Sequence, residues 1–129
     1  MQVFFISRDV AINQLAQLGL SQIVVDDDLI YYTTEAEWKP VLIEAAAGLP
    51  AYEKDRFDCD KFAIAVMGEV YKRYQLNGLG IMRGGTSNGG YHAWLAYATD
   101  NGIRFFEPQT KEFFKPGEKG LVPDTYGIT

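Results

Sequence analysis

An apolar stripe between residues 59 and 74 constrains this chain more than any other feature. Phe62, Ala63, Val66, Met67, Val70 and Tyr74 recur at three- and four-residue steps, the period of one face of an α-helix. Followed backward, the stripe reaches Cys59, the one cysteine of the chain. Cys59 is therefore expected in the first turn of a helix, on the side facing the protein body. Asp58 or Asp55 can cap that helix.

Other elements are read around this helix. Val3 to Ile6 is a candidate strand. Ser7 is a plausible N-cap for a helix through Ala11, Leu15 and Leu18, with Gly19 as its stop. Ile23 to Val25 precedes Asp26-Asp27-Asp28, three carboxylates better read as a solvated turn than as a metal site. Thr34 and Glu37 have capping-box spacing, and Trp38, Val41, Leu42 and Ala45 follow as a helical stripe closed by Gly48 and Pro50. Pro40 conflicts with a start at Glu35, which points to a start near Trp38. The Gly-rich segment from Asn77 to Gly90 lacks a Gly-Lys-Ser/Thr ending and reads as a mobile rim rather than a phosphate cradle. Tyr91 to Thr99 alternates as a strand. Asn101-Gly102 reads as the centre of a type I′ turn, with Ile103 to Glu107 returning as the partner strand. The Gly- and Pro-punctuated tail from Pro116 to Thr129 is expected to wrap the surface.

Composition narrows the class. A chain of 129 residues, 47% hydrophobic and 14% aromatic, has material for one core and is read as a single domain over residues 1–129. The net charge of -5 and the lack of a Lys/Arg cluster argue against nucleic acid as a partner. No apolar run approaches the roughly 20 residues of a membrane span, and the N-terminus lacks a signal-peptide pattern. A lone cysteine cannot form an internal disulfide. A soluble cytoplasmic protein is expected; oligomeric state is not legible.

Cys59 and His92 are the candidate chemical pair. A helix N-terminus and a neighbouring imidazole both favour the thiolate over the thiol. The plain alternative is a structural cysteine and an ordinary histidine. Asp58 and Asp60 flank Cys59 and oppose its ionisation, so their side chains must point away, be capped, or be neutralised by a cation. As plain structural features, Asp58 is an N-cap and Asp60 a first-turn carboxylate.

The third group depends on register. With Asn101-Gly102 as a two-residue loop, Ala96 pairs with Glu107 and Trp94 with Gln109. Glu107 then lies four residues beyond the partner position of His92, about 13 Å along a flat ladder, and Gln109 only two. A flat hairpin favours Gln109. Twist or a bulge would be needed for Glu107.

Three strings carry a family resemblance: Tyr52-Glu53-Lys54-Asp55-Arg56-Phe57-Asp58-Cys59-Asp60-Lys61-Phe62-Ala63, Gly90-Tyr91-His92-Ala93-Trp94 and Phe106-Glu107-Pro108-Gln109-Thr110. Together they resemble a papain-like cysteine protease family that includes a mushroom agglutinin C-terminal domain and small phage and bacterial proteins. The resemblance spans roughly residues 28–110. It implies an α+β papain-like fold, with the cysteine at a helix N-terminus packed against an antiparallel sheet, and a viral or bacterial origin. It also implies a cysteine peptidase or related amide hydrolase acting on a peptide or amide substrate through a thioester acyl-enzyme. Cys59 would be the nucleophile, His92 the base and acid, and Glu107 the group orienting the imidazole. Calcium is implied as a possible cofactor, with Asp60 the first position to suspect and no other ligand carried over. The oxyanion donor is open: Glu53 stands where such enzymes place Gln, and Tyr52 and Trp38 are the other donors within the segment. Two alternatives stand beside the enzyme: a non-catalytic phage or bacterial interaction module that keeps the cleft, and a calcium-binding protein using Asp58, Asp60, His92 and Glu107.

Overall fold

The computed structural model describes residues 1–127. The elements run β1 (Val3–Ser7), α1 (Arg8–Ala16), β2 (Gln22–Ile23), β3 (Leu29–Thr33), α2 (Glu35–Ala45), α3 (Cys59–Tyr74), β4 (Leu79–Gly85), β5 (Tyr91–Thr99), β6 (Gly102–Glu107), β7 (Glu112–Phe114) and β8 (Val122–Gly127). β1 and β3 form a separate antiparallel pair. The other six strands form one sheet in the order β2-β8-β4-β5-β6-β7.

The papain-like picture of a helix on an antiparallel sheet is corrected by this arrangement. Sheet dominates the chain, the large sheet is mixed because β2 joins β8 in parallel, and helices cover both of its faces. On one face α2 and α3 bury Trp38, Leu42, Val66 and Val70 against Ile81, Leu95 and Phe106. On the other, Leu15 of α1 packs with Met82, Trp94, Ala96 and Phe105. The alternation of β5 feeds both cores: Ala93, Leu95 and Tyr97 point to the first, and Trp94 and Ala96 to the second.

The caps act as the sequence predicts. Ser7 accepts from the Val10 amide and Thr34 from the Glu37 amide. α2 nevertheless starts at Glu35 and carries Pro40 inside it. Pro40 is exposed, and the Thr34 cap and the buried Trp38–Leu42 face hold the helix despite the lost backbone bond.

The Gly-rich segment is largely not a rim. Its first half is β4, a central strand whose residues from Leu79 to Met82 are buried. The glycines serve close approach rather than mobility. A Cβ on Gly84 would lie 2.0 Å from the Val122 carbonyl oxygen, and one on Gly80 would lie 2.5 Å from the Tyr126 ring. The tail does not simply wrap the surface: residues 122–127 form β8 between β2 and β4. Ile128 and Thr129 lie outside the described residues.

The hairpin turns one residue earlier than its Asn-Gly signal suggests. Thr99 faces Gly102, so the two loop residues are Asp100 and Asn101. Gly102 takes φ +98°, while Asp100 and Asn101 keep negative φ, the pattern of a type I turn closed by a glycine bulge. The Thr99 hydroxyl donates to the Gly102 carbonyl and accepts from the Asn101 amide.

Candidate functional site

Cys59 is the first residue of α3, where the free backbone N–H groups of the first turn favour negative charge. His92 is the second residue of β5 and Glu107 the last of β6. The structure brings all three together. The Cys59 thiol lies close enough to the His92 ring and to the Ala93 backbone for both to favour its ionised form. On the other side of the imidazole, Nε2 meets Glu107 Oε1. The ring stacks beside buried Trp94, with centroids 6.2 Å apart. The site is partly enclosed, with 23% of the His92 side chain and 15% of the Glu107 side chain exposed.

The corrected register explains the choice of carboxylate. Leu95 faces Phe106, so the next step along the ladder sets Glu107 beside Trp94. Glu107 is thus two residues from the His92 position, about 7 Å along the strand and within reach of a twisted pair. Gln109 also takes part, but through its backbone: its amide donates to Glu107 Oε2 at 3.2 Å. One carboxylate oxygen is held by Gln109 and the other meets the imidazole.

The electrostatics favour an ion pair. Hydrogen bonding to His92 lowers the Cys59 pKa; burial opposes this, the Ala93 contact adds to it, and Asp60 works weakly against it. His92 is raised to about 9, first by its bond to Cys59 and then by its bond to Glu107, with burial opposing. The thiol loses its proton more easily and the imidazole holds one more tightly, so the pair leans toward thiolate–imidazolium.

Lys61 resolves the problem of the acidic neighbours. Its Nζ lies 3.6 Å from Asp58 Oδ1 and 3.4 Å from Asp60 Oδ2. Asp58 occupies the N-cap position without a side-chain cap bond; its Oδ2 instead accepts from the Asp55 amide. Both carboxylates are therefore paired with one lysine, which offsets their charge beside the thiol. Sequence reasoning missed Lys61, although its position one and three residues after the two aspartates was a visible signal.

The candidate oxyanion donors do not assemble. The Trp38 indole is buried and donates to the Ala98 carbonyl at 2.7 Å. Glu53 bridges to Phe57 and pairs with Arg56 at 3.5 Å. Tyr52 is 55% exposed and lines a groove with Leu49, Phe62, Gln109 and Lys111, about 280 Å³ in volume. Among the described residues, no group of three or more His, Cys, Asp or Glu side chains is arranged to hold a metal, and no helix is long and apolar enough to cross a membrane.

Comparison with known proteins adds the family. Residues 7–119 match the family described as ricin-type beta-trefoil lectin C-terminal domain. No curated protein matches the chain significantly. A solved PSL1a–E64 complex is similar over 95% of this chain and 50% of the other, with a TM-score of 0.75 and 21% identity. The Polyporus squamosus lectin bound to the human-type influenza-binding epitope Neu5Aca2-6Galb1-4GlcNAc is similar over 94% of this chain and 48% of the other, with a TM-score of 0.71 and 21% identity. The chain thus spans about half the length of these structures.

These matches overturn the assignment to a papain-like cysteine protease family and fold. The peptidase or amide-hydrolase activity, the standing as an enzyme and the peptide or amide substrate fall with it, because the matched family is described as a lectin C-terminal domain. The physical reason for the misreading is that a thiol, an imidazole and a carboxylate in order describe a local constellation, which does not by itself fix what a protein binds. The match over residues 7–119 places the chain in the ricin-type beta-trefoil lectin C-terminal domain family.

Proposed function

We propose that the chain is a carbohydrate-binding domain of the lectin class, with its glycan held in the groove beside Cys59. The observation that carries this reading is the family match across most of the chain. The groove has suitable chemistry. Tyr52 offers an exposed ring face and a hydroxyl, Gln109 an amide that both donates and accepts, and Lys111 a cation for an acidic sugar. Phe62, one turn after Cys59 on α3, and Pro108, next to Glu107, join the groove to the site.

Within that domain we propose Cys59, His92 and Glu107 as the chemical centre. Cys59 is the ionisable thiol, His92 its proton partner and Glu107 the carboxylate that orients the ring. The opposed pKa directions of Cys59 and His92 support these roles.

The glycan Neu5Aca2-6Galb1-4GlcNAc, found on one of the similar lectins, is the first probe. Calorimetry and amide chemical shifts should show saturable binding, with shifts centred on Tyr52, Gln109 and Lys111. Tyr52→Ala should weaken binding by about fivefold or more, as loss of an aromatic anchor does. Absence of saturable binding to this probe and to every member of a glycan array would overturn the carbohydrate reading.

A further inference from the structure

A second cavity lies at the other end of the sheet, some 13–20 Å along β5 from His92 by residue count. Its volume is about 370 Å³, within the range of roughly 300–1,000 Å³ typical of small-molecule sites. It opens between α1, the segment leading into β3, and the C-terminal end of α3. Its walls are mainly aliphatic, with Leu15, Val25, Ile30, Leu76 and Ile103 prominent.

Polar groups also line it, Tyr71 from the core under α3 and Tyr126 from the core under α1. Tyr71 and Tyr126 both line the cavity and are close enough to influence one another. Burial pushes Tyr71 up to about 12, with Asp27 adding to the shift, and burial pushes Tyr126 up as well. Both phenols therefore keep their protons and can donate at neutral pH. Asp26 and Asp27 stand at the rim, with Asp27 accepting from the Asn77 amide group at 2.7 Å.

The position of the Tyr126 ring depends on a sequence feature. It lies across Gly80 on β4, where any side chain would collide with it. The missing Cβ leaves room for the phenol end of the ring, whose Cζ and hydroxyl oxygen would otherwise lie 2.5 and 2.7 Å from it.

We propose that this cavity is a binding site for a small, uncharged, largely apolar molecule with one hydroxyl group, its apolar body against the aliphatic wall and its oxygen on the Tyr71 hydroxyl. The acidic rim discriminates against a carboxylate, since Asp26 and Asp27 repel a second negative charge near a low-dielectric wall. A hydroxyl suits a phenol, because each can both donate to and accept from the other.

The test uses the full chain with 2-naphthol and its carboxylate counterpart, 2-naphthoate, followed by fluorescence titration and amide chemical shifts. 2-Naphthol should bind saturably, with shifts at Leu76, Ile103 and Tyr126 and none at His92. 2-Naphthoate should bind at least about tenfold more weakly, the effect of about 1.4 kcal/mol. Ala11→Trp, which fills the cavity from the buried face of α1, should abolish binding. Tyr71→Phe, which removes one oxygen with little change of shape, should weaken it about three- to tenfold. The proposal is overturned if 2-naphthol does not saturate, if 2-naphthoate binds as tightly, or if Tyr71→Phe binds 2-naphthol as well as the parent chain. Should Ala11→Trp fail to fold, the Tyr71→Phe comparison still decides.

Discussion

Glu107 reaches His92 across the β5–β6 ladder while its second oxygen is held by the Gln109 amide. The carboxylate is fixed at both ends, so it can set the orientation of the imidazole as well as its charge. Replacing Glu107 by Gln keeps the shape and removes the counter-charge. The fold should survive, and the His92 pKa should fall from about 9 toward the ordinary histidine range. Gln109→Ala should change it much less, because the backbone amide remains. Imidazole carbon chemical shifts followed against pH in the three proteins test this, and an unmoved titration in Glu107→Gln would rule out the orienting role.

The same pair makes stability depend on pH in a defined direction. The folded His92 pKa of about 9 lies above its ordinary value of 6.5. Its contribution is therefore complete below about pH 6.5 and is lost as pH rises through about 9. Cys59 runs the other way: its folded pKa is lowered from 9.0, so its contribution is present above that value and lost as pH falls through the lowered one. In the parent chain the two slopes oppose each other. The stability difference between the parent and Glu107→Gln should isolate the histidine part, about 1–2 kcal/mol at pH 6 and near zero above pH 10. Urea melts across that range measure it, and a gap that widens with rising pH would contradict the sign.

Thiol chemistry reads out the centre independently. Iodoacetamide should modify Cys59 at pH 6 at least about tenfold faster than it modifies an unperturbed thiol, because the reacting species is the thiolate. His92→Gln should remove that advantage, since the imidazole bond is the largest cause of the lowered pKa and burial acts against ionisation. A rate-against-pH curve unchanged by His92→Gln would leave Cys59 an ordinary cysteine at a helix end.

How much was legible follows from the range of each signal. Local ones read well. The stripe from Cys59 to Tyr74 fixed α3, and Ser7 and Thr34 marked their helix starts. Signals that depend on distant partners misled. Gly80 and Gly84 read as a mobile loop, yet they are glycines because Tyr126 and Val122 press against them; nothing within β4 reveals that. Tail residues 122–127 become a central strand only because β4 is there to receive them. Asn101-Gly102 announced a turn but not its register. Moving the loop to Asp100-Asn101 brought Glu107 two residues nearer His92 than the sequence count allowed. Cys59, His92 and Glu107 were visible as residues, and so was the likeness to an agglutinin C-terminal domain, whereas the peptidase reading drawn from it was not supported, since three side chains do not specify a ligand.

The two roles of glycine can be separated by substitution. Gly84→Ala would drive a Cβ to 2.0 Å from a backbone oxygen that cannot swing away. It should cost more than about 3 kcal/mol or prevent folding, as severe core overpacking does. Gly68 lies on α3 with open space around its would-be Cβ and no positive φ. Gly68→Ala should stabilise the chain by about 0.5–1 kcal/mol through helix propensity. Thermal melts of both variants test the assignment, and equal effects would show that β4 and β8 do not pack as described.

Lys61 is the residue on which the charge balance around Cys59 turns. Its ammonium lies between Asp58 and Asp60, and both raise its pKa. Asp60 in turn acts on Cys59 against ionisation. Lys61→Met keeps an unbranched, helix-compatible side chain and removes the cation. The two carboxylates would then act on the thiol without compensation, and Cys59 should become harder to ionise. Lys61 is 45% exposed at its side chain, so solvent and salt blunt the effect. Labelling at pH 6 should slow by about two- to fivefold, with the loss largest at low ionic strength. Lys61→Arg, which retains the charge, should label at the parent rate. A slowing shared by Met and Arg would point to packing rather than charge, and no slowing in Lys61→Met would show that the lysine does not shield the thiol from its acidic neighbours.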